Sequence, residues 1–386
     1  MKNPWLDVVG VGEDGLQGLR APARAALDSA EVIIGGDRHQ ALLPDSTARR
    51  VAWPTPFRSA LHEIRGLRGR RVVVLVVGDP LWFSAGRYFA EMFPAEEVRF
   101  HPQISAFQLA ATRMGWSLAD VETLTIHGRP AEQIIPYFSP GARMLVLTQD
   151  ADSPAEVAKL LAGRGFGPSR LSVLGALGGE RESRRDGLAR TWEGPSPEFH
   201  ILAIECVVEP AAVLLPLTGL PTERLPNANT PPEIRALAVA ALSPRRGEML
   251  WAFSGGSGAV AIEWMRAARD AEAMCVIADE AQAEAVMRAA YEFGTPRLKC
   301  VTMGGLPEGS APDAIFLGGE ITARLVETVL AHLSGGGRIV AQAAEALGQA
   351  SLLAARKAHG GTLRRVAVSE PDGRGRYGVL QWVLWR

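Results

Sequence analysis

The chain has 386 residues, which suits about two domains, and its 41 Lys and Arg balance 42 Asp and Glu to a formal net charge of -1. That balance excludes a broad polyanion-binding surface, so nucleic acid is not expected as a partner. With 47% hydrophobic residues and 41 glycines the composition is that of a loop-rich α/β enzyme.

No apolar run approaches the roughly 20 residues that cross a bilayer, and the opening MKNPWLDVVG lacks the apolar core of a signal peptide. A soluble, cytoplasmic protein with no membrane partner is expected. Cys206, Cys275 and Cys300 lie far apart in apolar runs, and the seven histidines do not pair at ligand spacing. The cysteines read as core residues, and no metal is implied.

In chain order, Leu6 to Val11 reads as a strand entering a glycine loop, followed by a helix over about Ala21 to Ser29 and a strand from Glu31 to Ile34 that closes in Gly35-Gly36. The six apolar residues Val72 to Val77 are long enough for a central strand and too short for an ordinary helix. Gly78-Asp79-Pro80 ends that strand: glycine admits a ligand close to the backbone, Asp79 offers a carboxylate, and proline fixes the exit. Ordinary turn chemistry accounts for the same three residues.

A helix follows from Gly86 to Met92, then a short strand over Val98 to His101, and Ser105 caps a helix running to Met114. Strands are expected at Leu124–Ile126, Met144–Thr148, Leu171–Leu174 and Phe199–Val208, with a helix at Pro154–Gly163. His127, beside Gly128 and Arg129, reads as structural, and the charged set from Glu180 to Arg185 as a solvated face.

From Glu209 to Pro232 six prolines break all periodicity, as in a linker, and Thr230-Pro231-Pro232-Glu233 has capping-box spacing before a helix to Leu242. Strands at Met249–Phe253, Met274–Ala278, Leu298–Met303, Asp313–Leu317 and Arg338–Ala341 then alternate with helices. Two antiparallel strands, Leu363–Val368 and Tyr377–Trp385, close the chain. Such alternation predicts a mostly parallel sheet with right-handed crossovers.

In this second region the strand Met249–Phe253 runs into Ser254-Gly255-Gly256-Ser257-Gly258, a helix follows, and the acidic pair Asp279-Glu280 ends the next strand. A nucleoside-containing cofactor binds such a layout, with glycines admitting its approach and a carboxylate, here Asp279, accepting from ribose hydroxyls. A nicotinamide oxidoreductase would use the same layout. No Ser/His/Asp or Cys/His constellation can be assembled, and no phosphate-loop Gly-Lys-Ser/Thr is present.

Six ordered segments of the first region resemble the tetrapyrrole methylases, in particular their precorrin C5-methylating members. They are Val8–Gly12, Ile33–His39, Val77–Leu81, Pro102 through Phe107, Ile126–Pro130 and Leu177–Gly179. Gly256-Ser257-Gly258, Ile262-Glu263-Trp264 and Pro312 to Gly319 resemble the precorrin C15-methylating, decarboxylating domains. The fused pair is similar to the precorrin-6Y C5,15-methyltransferase family of cobalamin biosynthesis, over nearly the whole chain.

This resemblance implies an α/β tetrapyrrole-methylase-like domain over 1–208, a proline-rich linker over 209–229 and a Rossmann-like methyltransferase domain over 230–386. It implies S-adenosylmethionine as donor, lined in the first domain by Val77, Gly78, Asp79, Trp82, Ser105, Ala106, Thr148 and Gly178. The implied substrate is a carboxylate-rich precorrin (precorrin-6B), methylated at C5 and C15 with decarboxylation of the C12 acetate, and a homo-oligomer is expected. Arg38 or Arg129 is placed to meet its acid groups.

The second domain departs from its family. Ala252 and Ser254 stand where an acidic residue and a glycine are usual, Gly304-Gly305 where Gly-Asp is common, and Ala228-Asn229-Thr230-Pro231 where the entry is Gln-x-Thr-Lys. These departures predict weakened donor binding or rearranged contacts. The alternative is that only the first domain methylates and the second holds substrate or the oligomer as a non-catalytic module.

Overall fold

The computed structural model describes residues 4–44, 46–53, 62–302, 309, 311–369 and 375–386. Each apolar run predicted as a strand is one, within a few residues at its ends. The chain divides into two compact units: Met1–Arg129 with Phe138–Ala212, and Pro130–Tyr137 with Val213–Arg386.

The first unit opens with β1 (Leu6–Val11), α1 (Ala21–Asp28), β2 (Val32–Gly35), α2 (Asp37–Ala41), β3 (Arg49–Ala52), β4 (Val72–Val77), α3 (Gly86–Met92) and β5 (Val98–His101). These strands form a parallel sheet in the order β3-β2-β4-β1-β5. Both faces are covered, which is why the strands are apolar throughout rather than alternating. Leu6, Val8, Val72, Val74 and Val76 feed one core, while Val9, Val11, Val73 and Leu75 feed the other.

A second sheet is built from β6 (Glu122–Thr125), β7 (Arg143–Leu147), β8 (Arg170–Gly175), β9 (Ser183–Leu188) and β10 (His200–Glu205), with α4 (Ala106–Met114) and α5 (Ser153–Ala162). Its order is β6-β7-β10-β8-β9, and only the β6–β7 pairing is parallel. The segment expected as a solvated charged face is in part the strand β9. It is solvent-exposed as expected, but its backbone pairs with β8 and Asp186 accepts from the Ser172 hydroxyl. A charged edge strand of this kind resists pairing with another chain.

The second unit comprises α6 (Pro232–Leu242), β11 (Met249–Phe253), α7 (Ala259–Ala267), β12 (Glu272–Ile277), α8 (Glu280–Glu292), β13 (Lys299–Thr302) and β14 (Ala314–Leu317). It continues with α9 (Ala323–Leu330), β15 (Arg338–Ala343), α10 (Ala346–His359), β16 (Thr362–Val368) and β17 (Tyr377–Trp385). The sheet order is β13-β12-β11-β14-β15-β17-β16, parallel except for β17, which is antiparallel to both its neighbours. Alternate residues again serve two cores: Leu250, Ala252, Cys275 and Phe316 face one, Trp251, Met274, Ile315 and Leu317 the other.

The proline-rich stretch expected as a linker contributes to this unit's core, where Leu220 and Leu225 are buried and Leu215 packs alongside. The capping box expected at Thr230 is not formed. A residue before proline is held extended, so Pro231 is the N-cap and α6 starts at Pro232. The Thr230 carbonyl accepts instead from the Arg235 guanidinium.

Buried arginines fasten the irregular segments of the unit. Arg235 donates to Glu263 and to the carbonyls of Leu220 and Thr230, and Glu263 accepts the N–H groups of Gly219 and Leu220. Arg266 holds the carbonyls of Pro216, Leu217 and Phe293, and Arg338 those of Leu242 and Ser243. Among the described residues no helix is long and apolar enough to cross a membrane.

Candidate functional site

In open parallel sheets a ligand crevice forms where neighbouring strands send their connections in opposite directions. In the first sheet that place lies between β1, whose connection leads toward β2, and β4, whose connection leads past β1 to β5. The contact there is so close that a Cβ at Gly10 would lie 1.8 Å from the Gly78 carbonyl oxygen. Gly78 has φ +56, donates its N–H to Val11 at 3.1 Å, and would carry any Cβ 3.2 Å from Cα of Ser105. The ends of β1 and β4 and the entrance to α4 thus meet at one point.

Around that junction Val77 is 44% exposed at the end of a strand whose other residues are buried; Leu81 and Phe83, which follow it closely in the chain, and Ile104, just before Ser105, are exposed as well. The Asp79 carboxylate accepts the Leu81 N–H at 2.8 Å, closing the turn. Trp82 stacks on Phe107 of α4, centroids 5.1 Å apart. Ser105 and Gln108 form a reciprocal capping box, so the Ser105 hydroxyl and N–H are both engaged, while Ala106 opens the helix.

Thr148 and Gly178 reach the same place from the second sheet. Leu147, Leu177 and Ile201 pack with Trp82, Ala106 and Phe107 in one cluster, and a Cβ at Gly178 would lie 3.4 Å from Leu109 of α4. The Gly178 N–H is taken by Glu182, which Arg113 also holds, so this turn presents backbone surface rather than a free donor. Hydrogen bonding from Arg113, then from Gly178, keeps the Glu182 carboxyl below its ordinary range.

One residue at this edge escaped the sequence reading. His200 Nδ1 lies 2.6 Å from the Pro197 carbonyl, which can only accept, so Nδ1 carries the proton and Nε2 accepts from Thr148 Oγ1 at 2.9 Å. Burial lowers the His200 pKa against raising contributions from the Pro197 carbonyl, Asp150 and Glu198, which favours the neutral ring. Only the pairing of β7 with β10 brings the two residues together. Arg38, expected to meet substrate acid groups, is ion-paired with Glu13 and lies 3.1 Å over the Phe199 ring. Arg129 is on an exposed loop.

The second unit has its own crevice, between β11 and β14, whose connections lead to β12 and β15 on opposite sides. Gly255, Gly256 and Gly258 have φ of +63, +106 and +61, conformations that other residues rarely adopt. A Cβ at Gly255 would be 3.7 Å from Gly319 Cα, and one at Gly256 only 2.2 Å from Gln282 Oε1. Ser257 accepts from Ala259 N–H at 3.4 Å.

Asp279 is the N-cap of α8: one carboxylate oxygen accepts the Gln282 N–H at 2.9 Å, and the residue is exposed. Among the described residues, two buried side-chain oxygens near this loop, Ser254 Oγ and Gln282 Oε1, have no hydrogen-bond partner. Buried polar atoms are rarely left so. Ala252 faces the apolar core, and Gly304-Gly305 lie outside the described residues.

Two crevices at strand-order reversals, each framed by glycine turns, give a two-unit α/β chain with one candidate ligand crevice in each unit. Residues 6–191 match the Tetrapyrrole (Corrin/Porphyrin) Methylases, and residues 228–383 the Precorrin methyltransferase domain. A precorrin-6Y C(5,15)-methyltransferase [decarboxylating] from Sinorhizobium sp is 38% identical, over 98% of this chain and 94% of that one. The chain belongs to the family of precorrin-6Y C(5,15)-methyltransferases (decarboxylating).

A cobalt-precorrin-7 C(5)-methyltransferase from Salmonella typhimurium is 33% identical, covering 44% of this chain and 83% of its own. The crystal structure of the C-terminal domain of the Rhodobacter capsulatus precorrin-6Y C5,15-methyltransferase aligns with 33% identity and a TM-score of 0.39. That alignment covers 44% of this chain and 98% of the other.

Proposed function

We propose that this enzyme of cobalamin biosynthesis takes S-adenosylmethionine at both crevices and methylates a precorrin at C5 in its first unit. At the second crevice it methylates C15 and releases the C12 acetate's carboxylate as carbon dioxide. The observation that carries the reading is the recurrence of one arrangement, a strand-order reversal lined by glycine turns, with exposed apolar side chains beside the first.

The donor supplies an electrophilic methyl on a sulfonium. The new carbon–carbon bond uses an electron pair of the macrocycle while the sulfur–carbon bond breaks, so the protein's task is alignment and exclusion of water, with no covalent nucleophile. In the first unit the Gly10–Gly78–Ser105 junction gives a donor close access to backbone. Val77, Leu81, Phe83 and Ile104 offer exposed apolar surface to the face of a tetrapyrrole. Thr148 is held by His200 at 2.9 Å and its hydroxyl oxygen keeps acceptor capacity.

The test is the mass of the tetrapyrrole product after incubation of precorrin-6B with methyl-labelled S-adenosylmethionine. Two labelled methyls and loss of one carbon dioxide are expected. One labelled methyl with the carboxylate retained would refute the second activity and favour the non-catalytic module.

A further inference from the structure

We propose that His200 is a positioning residue of the first crevice: by taking the Thr148 hydroxyl proton it fixes Thr148 as an acceptor for N–H or O–H groups of the nucleoside methyl donor. The inference rests on the reading that this crevice holds that methyl donor with Thr148 at its edge.

Strand register builds the pair. Ile201 of β10 faces Leu147 of β7, which sets His200 opposite Thr148, next to the cluster of Trp82, Ala106 and Phe107. Thr148 Oγ1 lies 2.9 Å from His200 Nε2 and 3.3 Å from the His200 carbonyl oxygen, while Nδ1 lies 2.6 Å from the Pro197 carbonyl. Gly175, the register partner of His200 on β8, admits the Pro197 turn, since a Cβ there would stand 3.2 Å from the proline ring. A carbonyl only accepts, so the Nδ1 proton is committed and Nε2 is left as an acceptor. The threonine proton is thereby spent within the pair, and among the described residues the Oγ1 lone pairs are uncommitted. Thr148 is half-buried, so part of the residue is open to solvent.

Protonation of His200 reverses this polarity. Nε2–H then donates into one Oγ1 lone pair, one acceptor position is lost, and a positive charge stands beside the other. Both changes oppose a ligand that brings hydrogen-bond donors. Two carboxylates act on the ring: Asp150, held by the Ser153 hydroxyl at the start of α5, and Glu198 in the turn before β10. Thr148 from β7 and Gly175 from β8 bring no charge. Burial outweighs the carboxylates and lowers the His200 pKa from 6.5, so the change of state falls below that pH.

The test is calorimetric titration of the full chain with S-adenosylhomocysteine between about pH 5 and about pH 8, which reads binding without turnover. In the wild type one site is expected to hold its affinity above pH 6.5 and to weaken below it, by up to about tenfold per pH unit, because one proton must leave as the ligand binds. His200→Gln puts an amide oxygen in the place of Nε2 and does not titrate, so it keeps the affinity and loses the acid weakening. Thr148→Val weakens the same site by about threefold to tenfold and removes its pH dependence, and Thr148→Ser restores both.

A flat wild-type profile, an acid weakening that persists in His200→Gln, or a wild-type profile in Thr148→Val would overturn the role of the pair and leave the methylation reading intact. Absence of S-adenosylhomocysteine binding in the wild type would overturn that reading itself.

Discussion

Replacing Glu263 tests the network that fastens the proline-rich arm to the second unit. Glu263 is 0% exposed and Arg235 2%, and their ion pair has Nε 3.0 Å from Oε1. The carboxylate also accepts the Gly219 and Leu220 N–H groups at 2.8 and 3.1 Å, so Glu263→Ala strands one buried cation and two backbone donors. Breaking such a pair from one side costs about 3–5 kcal/mol. At a urea slope of about 2 kcal/mol/M the unfolding midpoint falls by about 2 M.

Replacing both partners with apolar residues (R235M/E263L) removes the stranded charge but still orphans backbone groups at Gly219, Leu220 and Thr230. Its cost should fall below the sum of the single variants by about 0.5–3 kcal/mol, without returning to wild type. Hydrogen-exchange mass spectrometry along a urea series reads peptides of 213–386 separately from those of the first unit. A midpoint shift under about 0.5 M for Glu263→Ala would refute the reasoning, because water would then be satisfying the site.

Gly10→Ala forces a methyl to within 1.8 Å of the Gly78 carbonyl, so the ends of β1 and β4 must part. The expected result is destabilisation by about 1–3 kcal/mol and loss of donor binding in the first unit, read by titration with S-adenosylhomocysteine. Unchanged affinity would remove this junction from the site.

His200 has a folded pKa below its ordinary 6.5, so the unfolded chain binds the extra proton first. Its stabilising contribution is present above pH 6.5 and is lost as pH falls below it. The difference between wild type and His200→Asn should grow smaller as the solution is acidified, and a pH-independent difference would contradict the neutral-ring assignment. Burial pushes the Cys206 thiol up to about 12, and the Cys275 and Cys300 thiols are raised by burial as well. At pH 8 the native chain should react slowly with a thiol reagent and release three thiols only on unfolding, whereas rapid native labelling of Cys206 would contradict its burial.

Much of the fold is legible along the chain because short apolar runs buried on both faces have few alternatives. Val72–Val77 and Met249–Phe253 announce themselves as strands, and glycines after them mark where each stops. The edge strands β3 and β9 carry no such signal, since Arg49-Arg50 and Arg184-Arg185 face water and only backbone pairing makes those segments strands. Thr230–Glu233 had the spacing of a cap, but two prolines and a buried arginine decided otherwise.

The candidate site divides the same way. Gly78, Ser105 and the 254–258 loop could be singled out from sequence because positive-φ turns and helix caps leave local residue signatures. The partnership of Thr148 with His200 spans 52 residues, and the approach of Gln282 to Gly256 joins a helix to a loop one strand away. Sequence fixes which side chains are available, but strand order and register decide which of them share a crevice, because those contacts are set by packing across the sheet and have no period along the chain.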